Sequence, residues 1–301
     1  MNDDKKPSDT LSQRNRCQSR SLALVDMDTS EFVLHVEDMC ISFVTDDPWS
    51  RQWFYSRLGG GRLHEEPVTR LLVHNLEQCM CFFDVGACLG YYTMIASKAV
   101  GIRGVVHAFE LDKFNCSIIK KNLERNQCRN VKVHHIAVSD TLGTVEYIRG
   151  TDSRGTYSLN SGLKTLEDKT FMTVDSTSLD EFCATMNIIP DVIKIDVEGA
   201  ELKVLNGMKK LLYTRDIKLF CEVHPEKLAS FGHTEEQVID KLHAFGMRVF
   251  EIAEFSRTHS KSIKLRLLER GTAIGTRSML YAYRDKHSPQ TILTDTWEVF
   301  L

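Results

Sequence analysis

The chain has 301 residues and a mass of 34.4 kDa, with 42% hydrophobic, 26% charged and 9% aromatic residues. These are ordinary globular proportions, and they exclude disorder, collagen-like repetition and low complexity as descriptions of the whole. Lys plus Arg number 38 against 41 Asp plus Glu, a net charge of −3, so no global basic field exists to hold nucleic acid or an anionic membrane, and a small-molecule partner is expected.

Nine cysteines, an odd number with no Cys-x-x-Cys spacing, argue against a disulfide framework or a structural zinc site and for reduced thiols in a soluble, cytoplasmic chain. The opening MNDDKKPSDTLSQRNRCQSR is polar and has no apolar core of a leader, and no apolar run of about 18 residues follows anywhere. Residues 1–30 are therefore expected to be frayed, and no membrane insertion is expected.

From Glu31 to Val44, EFVLHVEDMCISFV predicts two short strands around a turn at Glu37 and Asp38, and PWSRQWFYSRL predicts a helix. Residues 31–61 are an N-terminal appendage, broken by Gly59-Gly60-Gly61, and residues 62–301 are expected to form one domain. Val68 to Leu76 has helical spacing. Short apolar strands then alternate with amphipathic helices. Strands are expected at Cys81 to Val85, Val105 to Phe109, Val131 to Ile136, Val192 to Ile195 and Leu219 to Val223. Helices are expected at Tyr91 to Ala99, Lys113 to Asn126, Ala200 to Leu212 and Glu235 to Phe245.

Such alternation specifies an α/β fold, a parallel sheet with helices on both faces, whose ligands sit at the carboxyl ends of the strands. Arg248 to Ile252 and Met279 to Tyr283 read as two more strands, the last running antiparallel. The stretch between them that includes Lys261 to Arg270 reads as a solvated segment. Gly143 to Val174 reads as less regular, with TDSRGTYSLNSG a polar loop.

CFFDVGACLGYYT, residues 81 to 93, is the most informative segment. A buried strand ends in Asp84, Gly86 and Gly90 bracket a turn, and a helix starts near Tyr91, where free N–H groups can meet a carboxylate. The segment departs from the dinucleotide fingerprint, because Cys88 and Tyr91 stand where glycines would be needed. Asp84 would repel a pyrophosphate but suits an ammonium group, reached directly or through water. Glu110, at the end of the second strand, suits the two hydroxyls of a ribose. Asp140, in AVSD after the third, suits an adenine amine, although it equally suits a turn. An amino-acid tail, a ribose and an adenine together describe S-adenosylmethionine.

In DVIKIDVEGAEL, residues 191 to 202, Lys194 and Asp196 share one face of a strand that is otherwise apolar, and Glu198 follows. Glu222 and His224 repeat that arrangement on the next strand. If the two strands are neighbours, Asp196, Glu198, Glu222 and His224 converge at the carboxyl edge of the sheet. Buried charges need partners or a use, so an internal ion-pair network and a catalytic cluster are both open readings. No metal is expected.

DVGACLGYYT, HAFELD, NVKVHHIAVSDTLGTVEY, IKIDVEGAEL and EVHPE resemble, in order, the motifs of the FkbM-family methyltransferases, over roughly residues 62 to 252. The resemblance implies a Rossmann-like seven-stranded class I methyltransferase sheet, S-adenosyl-L-methionine as cofactor, and methylation of a hydroxyl on a sugar, polyketide or other small molecule. It implies cofactor contacts by Asp84, Gly86, Ala87, Cys88, Gly90, Glu110, Leu111, Ala137 and Asp140, with Asp196 near the methyl end. Two positions depart from the family pattern. Cys88 replaces an asparagine that contacts the methionine tail, and Leu111 replaces a proline.

Methylation of an alcohol needs the acceptor aligned and its proton removed. His224 is the first candidate base, because its ordinary pKa of about 6.5 lies nearest neutrality. Asp196 is the second, with Glu222 and Lys194 completing the catalytic set. A binding protein that senses S-adenosylmethionine without catalysis, and a nucleotide-dependent oxidoreductase on the same sheet, are the alternative functions.

Overall fold

A computed structural model describes residues 30–149, 157–158, 170–255, 262–284 and 296–300. The segment 1–30, except Ser30, and the polar loop from 151 to 162, except Tyr157 and Ser158, lie outside the described residues.

An antiparallel hairpin opens the chain, with β1 (Glu31–Val36) paired to β2 (Met39–Val44). Its period-two pattern buries Leu34, Val36, Ile41 and Phe43. Asp47 starts α1 (Pro48–Leu58) by accepting from the Ser50 N–H, with Pro48 in the first turn. Helix α2 (Glu66–Asn75) follows.

Next come β3 (Cys81–Val85), α3 (Tyr91–Val100), β4 (Val105–Glu110), α4 (Lys113–Arg125) and β5 (Val131–His135). The chain then makes β6 (Ala137–Val138), β7 (Gly143–Arg149), β8 (Tyr157–Ser158), β9 (Thr170–Thr177) and α5 (Leu179–Met186). After these lie β10 (Val192–Ile195), α6 (Glu201–Asn206), α7 (Lys209–Thr214), β11 (Lys218–Val223), α8 (Pro225–Ser230) and α9 (Glu235–Ala244). The last described strands are β12 (Arg248–Ile252), β13 (Ser262–Leu268), β14 (Ser278–Tyr283) and β15 (Thr296–Phe300).

The main sheet has the order β15-β13-β12-β14-β11-β10-β3-β4-β5. Strands β5, β4, β3, β10 and β11 are parallel neighbours, and β14 runs against both β11 and β12. The seven expected strands, antiparallel member included, form one Rossmann-like sheet, and β13 and β15 extend it to nine.

Three expectations are corrected. Most of Lys261 to Arg270 is strand β13, because Ile263 and Leu265 are buried in alternation with exposed Lys264 and Arg266, and Leu268 is buried on the opposite face from Ile263 and Leu265. The region from 143 to 174 is not irregular throughout, since β7 and β9 pair antiparallel in a second, four-stranded sheet. The helix expected over 200 to 212 is two helices broken at Gly207, where a Cβ would lie 2.0 Å from the Ser139 carbonyl. Asp180 restarts the chain as α7 by accepting from the N–H groups of Lys210 and Leu211.

The sheet separates two apolar cores, with Phe82 on one face and Phe83 on the other. Phe43, Phe54 and Leu58 of the appendage belong to the first core, together with Ile95, Val106 and Ile118. Asn122 and Asn126 of α4 bind the outer edge of β2. The Val44 N–H donates to Asn122 Oδ1 at 2.7 Å and the Ser42 N–H to Asn126 Oδ1 at 2.9 Å. Asn122 Nδ2 donates in turn to the Leu89 carbonyl. Among the described residues no helix is long and apolar enough to cross a membrane.

Candidate functional site

Strands β3 and β4 end side by side, and the turn after β3 folds back onto β4, where the N–H groups of Gly86 and Ala87 both donate to the Phe109 carbonyl. Gly86 has φ +84, and a Cβ on it would lie 1.9 Å from the Asp196 carbonyl, so this close pass against the end of β10 requires glycine. Cys88 also takes a positive φ, 51, and its N–H donates to Glu110 Oε2 at 2.7 Å. Glu110 Oε1 accepts from the Asp112 N–H at 2.8 Å. Burial pushes the Glu110 carboxyl up to about 8, against the pull of those two N–H groups.

A cleft of about 1050 Å³, its open mouth included, lies over this edge of the sheet. That is room for a nucleoside with an amino-acid tail and an acceptor beside it. Gly86, Cys88, Glu110, Leu111, Ala137 and Asp196, all expected site residues, line it. Phe109, Ile136 and Val138 add an apolar slot next to the Glu110 carboxyl. An acid for a ribose diol beside an apolar slot for a flat base fits the nucleoside half of S-adenosylmethionine.

The other expected cofactor residues are not in the wall. Asp84 lies beneath it, 1% exposed, where the Thr93 hydroxyl donates to its Oδ2 at 2.5 Å. Burial raises its pKa against the pull of Lys194 and Thr93. Ala87 is buried, Gly90 starts α3 against Ile119, and Asp140 is exposed and accepts from Ser139 Oγ.

Because β10 and β11 are neighbours, the second cluster does converge. Lys194 is buried under the Tyr92 ring, with its Nζ 3.3 Å from Asp196 Oδ2. Burial opposes the charge on Asp196, yet the Lys194 ammonium outweighs it and holds the carboxyl well below its usual range. For Glu222 burial wins, and its pKa is raised well above the ordinary value.

Asp196 Oδ1 and Glu222 Oε2 are both buried and without a donor while both carboxyls are ionised. A proton on Glu222, donated to Asp196, satisfies the pair. His224 Nε2 lies 3.4 Å from both Glu222 Oε1 and Glu198 Oε2, and its Nδ1 lies 3.6 Å from Glu201 Oε1. Asp196 and Glu198 face the cleft, whereas Lys194, Glu222 and His224 are not among its lining residues.

Asp196, Glu198 and His224 each present a ligand atom within 4.8 Å of the others, a mixed carboxylate and imidazole set of the kind zinc or a divalent transition metal uses. Lys194 and Lys227 hold the two carboxylates in this structure.

The far wall was not foreseen. Trp53 and Arg57 come from α1, His64 from the segment before α2, and Arg277 from the residue before β14. Arg277 bonds Glu222 and donates to Glu65 Oε1 at 2.7 Å, and Glu65 also accepts from the Tyr92 hydroxyl. None of these residues sits in a local motif. The one available signal was charge beside apolar runs, in HEEPV and TRSML.

Residues 84–249, more than half of the chain, match the family described as the methyltransferase FkbM domain. A hexuronic acid methyltransferase, AglP of Haloferax volcanii, is 26% identical over 162 residues, which are 53% of this chain and 62% of that protein. The chain thus spans less than two thirds of that relative's length. Among solved structures, a methyltransferase FkbM from Methylobacillus flagellatus KT is 18% identical with a TM-score of 0.40, covering 79% of this chain and 55% of that one. A SAM-dependent methyltransferase from Aquifex aeolicus is 18% identical with a TM-score of 0.41, covering 79% and 94%.

Proposed function

This chain belongs to the FkbM methyltransferase family, and from that premise we propose that it is an S-adenosylmethionine-dependent methyltransferase that acts on a hydroxyl oxygen of a small, sugar-like acceptor. The observation that carries this reading is the opening of Asp196 and Glu198 onto the cleft with His224 directly behind Glu198. The hexuronic acid methyltransferase among its relatives supports a carbohydrate acceptor.

S-adenosylmethionine supplies, when bound, a methyl group on a positively charged sulfonium. Glu110 would accept from the ribose hydroxyls, and Leu111, Ile136, Ala137 and Val138, which line the cleft beside it, would hold the base. Asp196, kept ionised by Lys194, sets a fixed negative charge on the cleft wall and is too weak a base to take the proton of an alcohol. Glu198 at the wall accepts the hydroxyl proton and passes it to His224 Nε2, 3.4 Å away. Glu201, whose Oε1 lies 3.6 Å from Nδ1, stabilises the imidazolium that results. Lys194 and Glu222 thus act through Asp196 as positioning residues.

The test is incubation with S-adenosylmethionine and a panel of uronic acids, neutral sugars and macrolactones, reading S-adenosylhomocysteine release and product mass. Methylated hydroxyls on a carbohydrate are expected. Transfer to nitrogen or carbon only, or cofactor binding with no turnover on any hydroxyl, would sink the O-methylation reading.

A further inference from the structure

Arg57 is the cleft-lining cation that has no carboxylate partner among the described residues. Arg277 is committed to Glu65 and Glu222, and His64 lies 3.6 Å from Glu65. Arg57 stands in the last turn of α1, half-buried, with its guanidinium carbon 4.7 Å from the centre of the Trp53 ring. Stacking of that kind fixes the plane of a guanidinium and leaves its edge N–H groups free to fork onto a carboxylate. It lines the same cleft as Gly86 and Cys88 of the turn after β3.

That turn lacks the anion contacts the sequence suggested for it. The first turn of α3 is outside the lining, since Gly90 packs on Ile119 and the buried Tyr91 bonds Thr69. The Cys88 N–H is committed to Glu110 Oε2, and its thiol is no match for a carboxylate. A cofactor whose nucleoside end rests on Glu110 therefore extends an amino-acid tail over Gly86 and Cys88, where Arg57 is the uncommitted cation.

We propose that Arg57, carried in by the N-terminal appendage, anchors the α-carboxylate of the S-adenosylmethionine tail. It supplies the contact that Cys88 and the start of α3 do not make. This rests on the cofactor assignment and adds to it a binding residue outside the family motifs.

The experiment is calorimetric titration of the full chain, and of its Arg57→Ala and Arg57→Lys variants, with two ligands. S-adenosylhomocysteine carries the tail; 5′-methylthioadenosine has the same base, ribose and thioether without it. Loss of a charge-assisted bond to a carboxylate predicts a 10- to 100-fold weaker S-adenosylhomocysteine affinity in Arg57→Ala, on the order expected for such bonds. Methylthioadenosine should bind all three proteins within about twofold, and Arg57→Lys should recover part of the loss.

Equal weakening of both ligands in Arg57→Ala would reduce Arg57 to a packing residue and overturn the anchor. Unchanged S-adenosylhomocysteine binding would overturn it as well and leave the guanidinium for an acidic acceptor. Failure of the unsubstituted protein to bind S-adenosylhomocysteine is a distinct result, and it would remove the cofactor assignment together with the anchor.

Discussion

Arg277 joins Glu65, the residue before α2, to Glu222 of β11, and both acids are buried. Its Nη2 donates to Glu65 Oε1 at 2.7 Å across 212 residues of chain, and its Nε bonds Glu222. Removal of one member of a buried ion pair leaves an uncompensated charge, worth about 3–5 kcal/mol where the pair is fully enclosed. Arg277 is itself 48% exposed, so water replaces part of the loss. Arg277→Met is expected to cost about 2–3 kcal/mol in urea unfolding. Unchanged stability would mean that Glu65 and Glu222 do not depend on it.

His224→Ala removes the proposed proton acceptor while leaving Gly86, Cys88 and Glu110 in place. The expected result is a fall in kcat of about 10²- to 10⁴-fold with S-adenosylhomocysteine affinity unchanged. A variant that keeps full turnover shows that Glu198 needs no relay to His224.

Glu110 carries a pH signature. Its folded pKa of about 8 stands above the ordinary 4.5, so between those values the folded chain binds more protons than the unfolded one. Its stabilising contribution is therefore complete below about pH 4.5 and is lost as pH rises toward about 8. Glu110→Gln should flatten the decline of Tm from about pH 5 to about pH 8. An identical slope in the two proteins would count against a buried, proton-holding Glu110.

Gly86→Ala forces a Cβ to 1.9 Å from the Asp196 carbonyl at φ +84, whereas Gly60→Ala at φ +79 has nothing within 4 Å. The second substitution should cost about 1 kcal/mol in strain. The first should cost more than about 4 kcal/mol and abolish cofactor binding. Equal costs in chemical denaturation would show that the turn after β3 and the end of β10 do not need their close approach.

The strands and most of the helices were legible because they alternate cleanly between a period of two and a helical period, with turn residues between them. Strand β13 was not, although IKLRLL alternates, because Lys264 and Arg266, with Lys261 and Arg270 beside the strand in sequence, drew the reading toward solvent. The break at Gly207 depends on the Ser139 carbonyl, which is distant in the sequence and invisible to local periodicity.

At the site, Glu110, Asp196 and His224 stood out because each ends a buried strand. Asp84 and Asp140 stood out equally, yet Asp84 is sealed by Thr93 and Asp140 points to solvent. Alternation fixes which residues share a strand face; it does not fix which of them reaches a cavity. Arg57, His64 and Arg277 come from outside the strand-and-helix repeat, so only the packing of the appendage against the sheet reveals them.

The asparagines of α4 that bind β2 limit how this chain can be cut or recombined. The family match begins at residue 84, which invites treatment of everything earlier as an exchangeable module. Asn122, however, is fully buried and spends its two ends on the Val44 N–H and the Leu89 carbonyl, linking the hairpin to the turn that precedes α3. A transplanted appendage that lacked the matching backbone edge would strand that amide and bare the apolar face of Ile95 and Ile118. The natural seam for exchange therefore lies ahead of Glu31, and the appendage and α4 have to be inherited together.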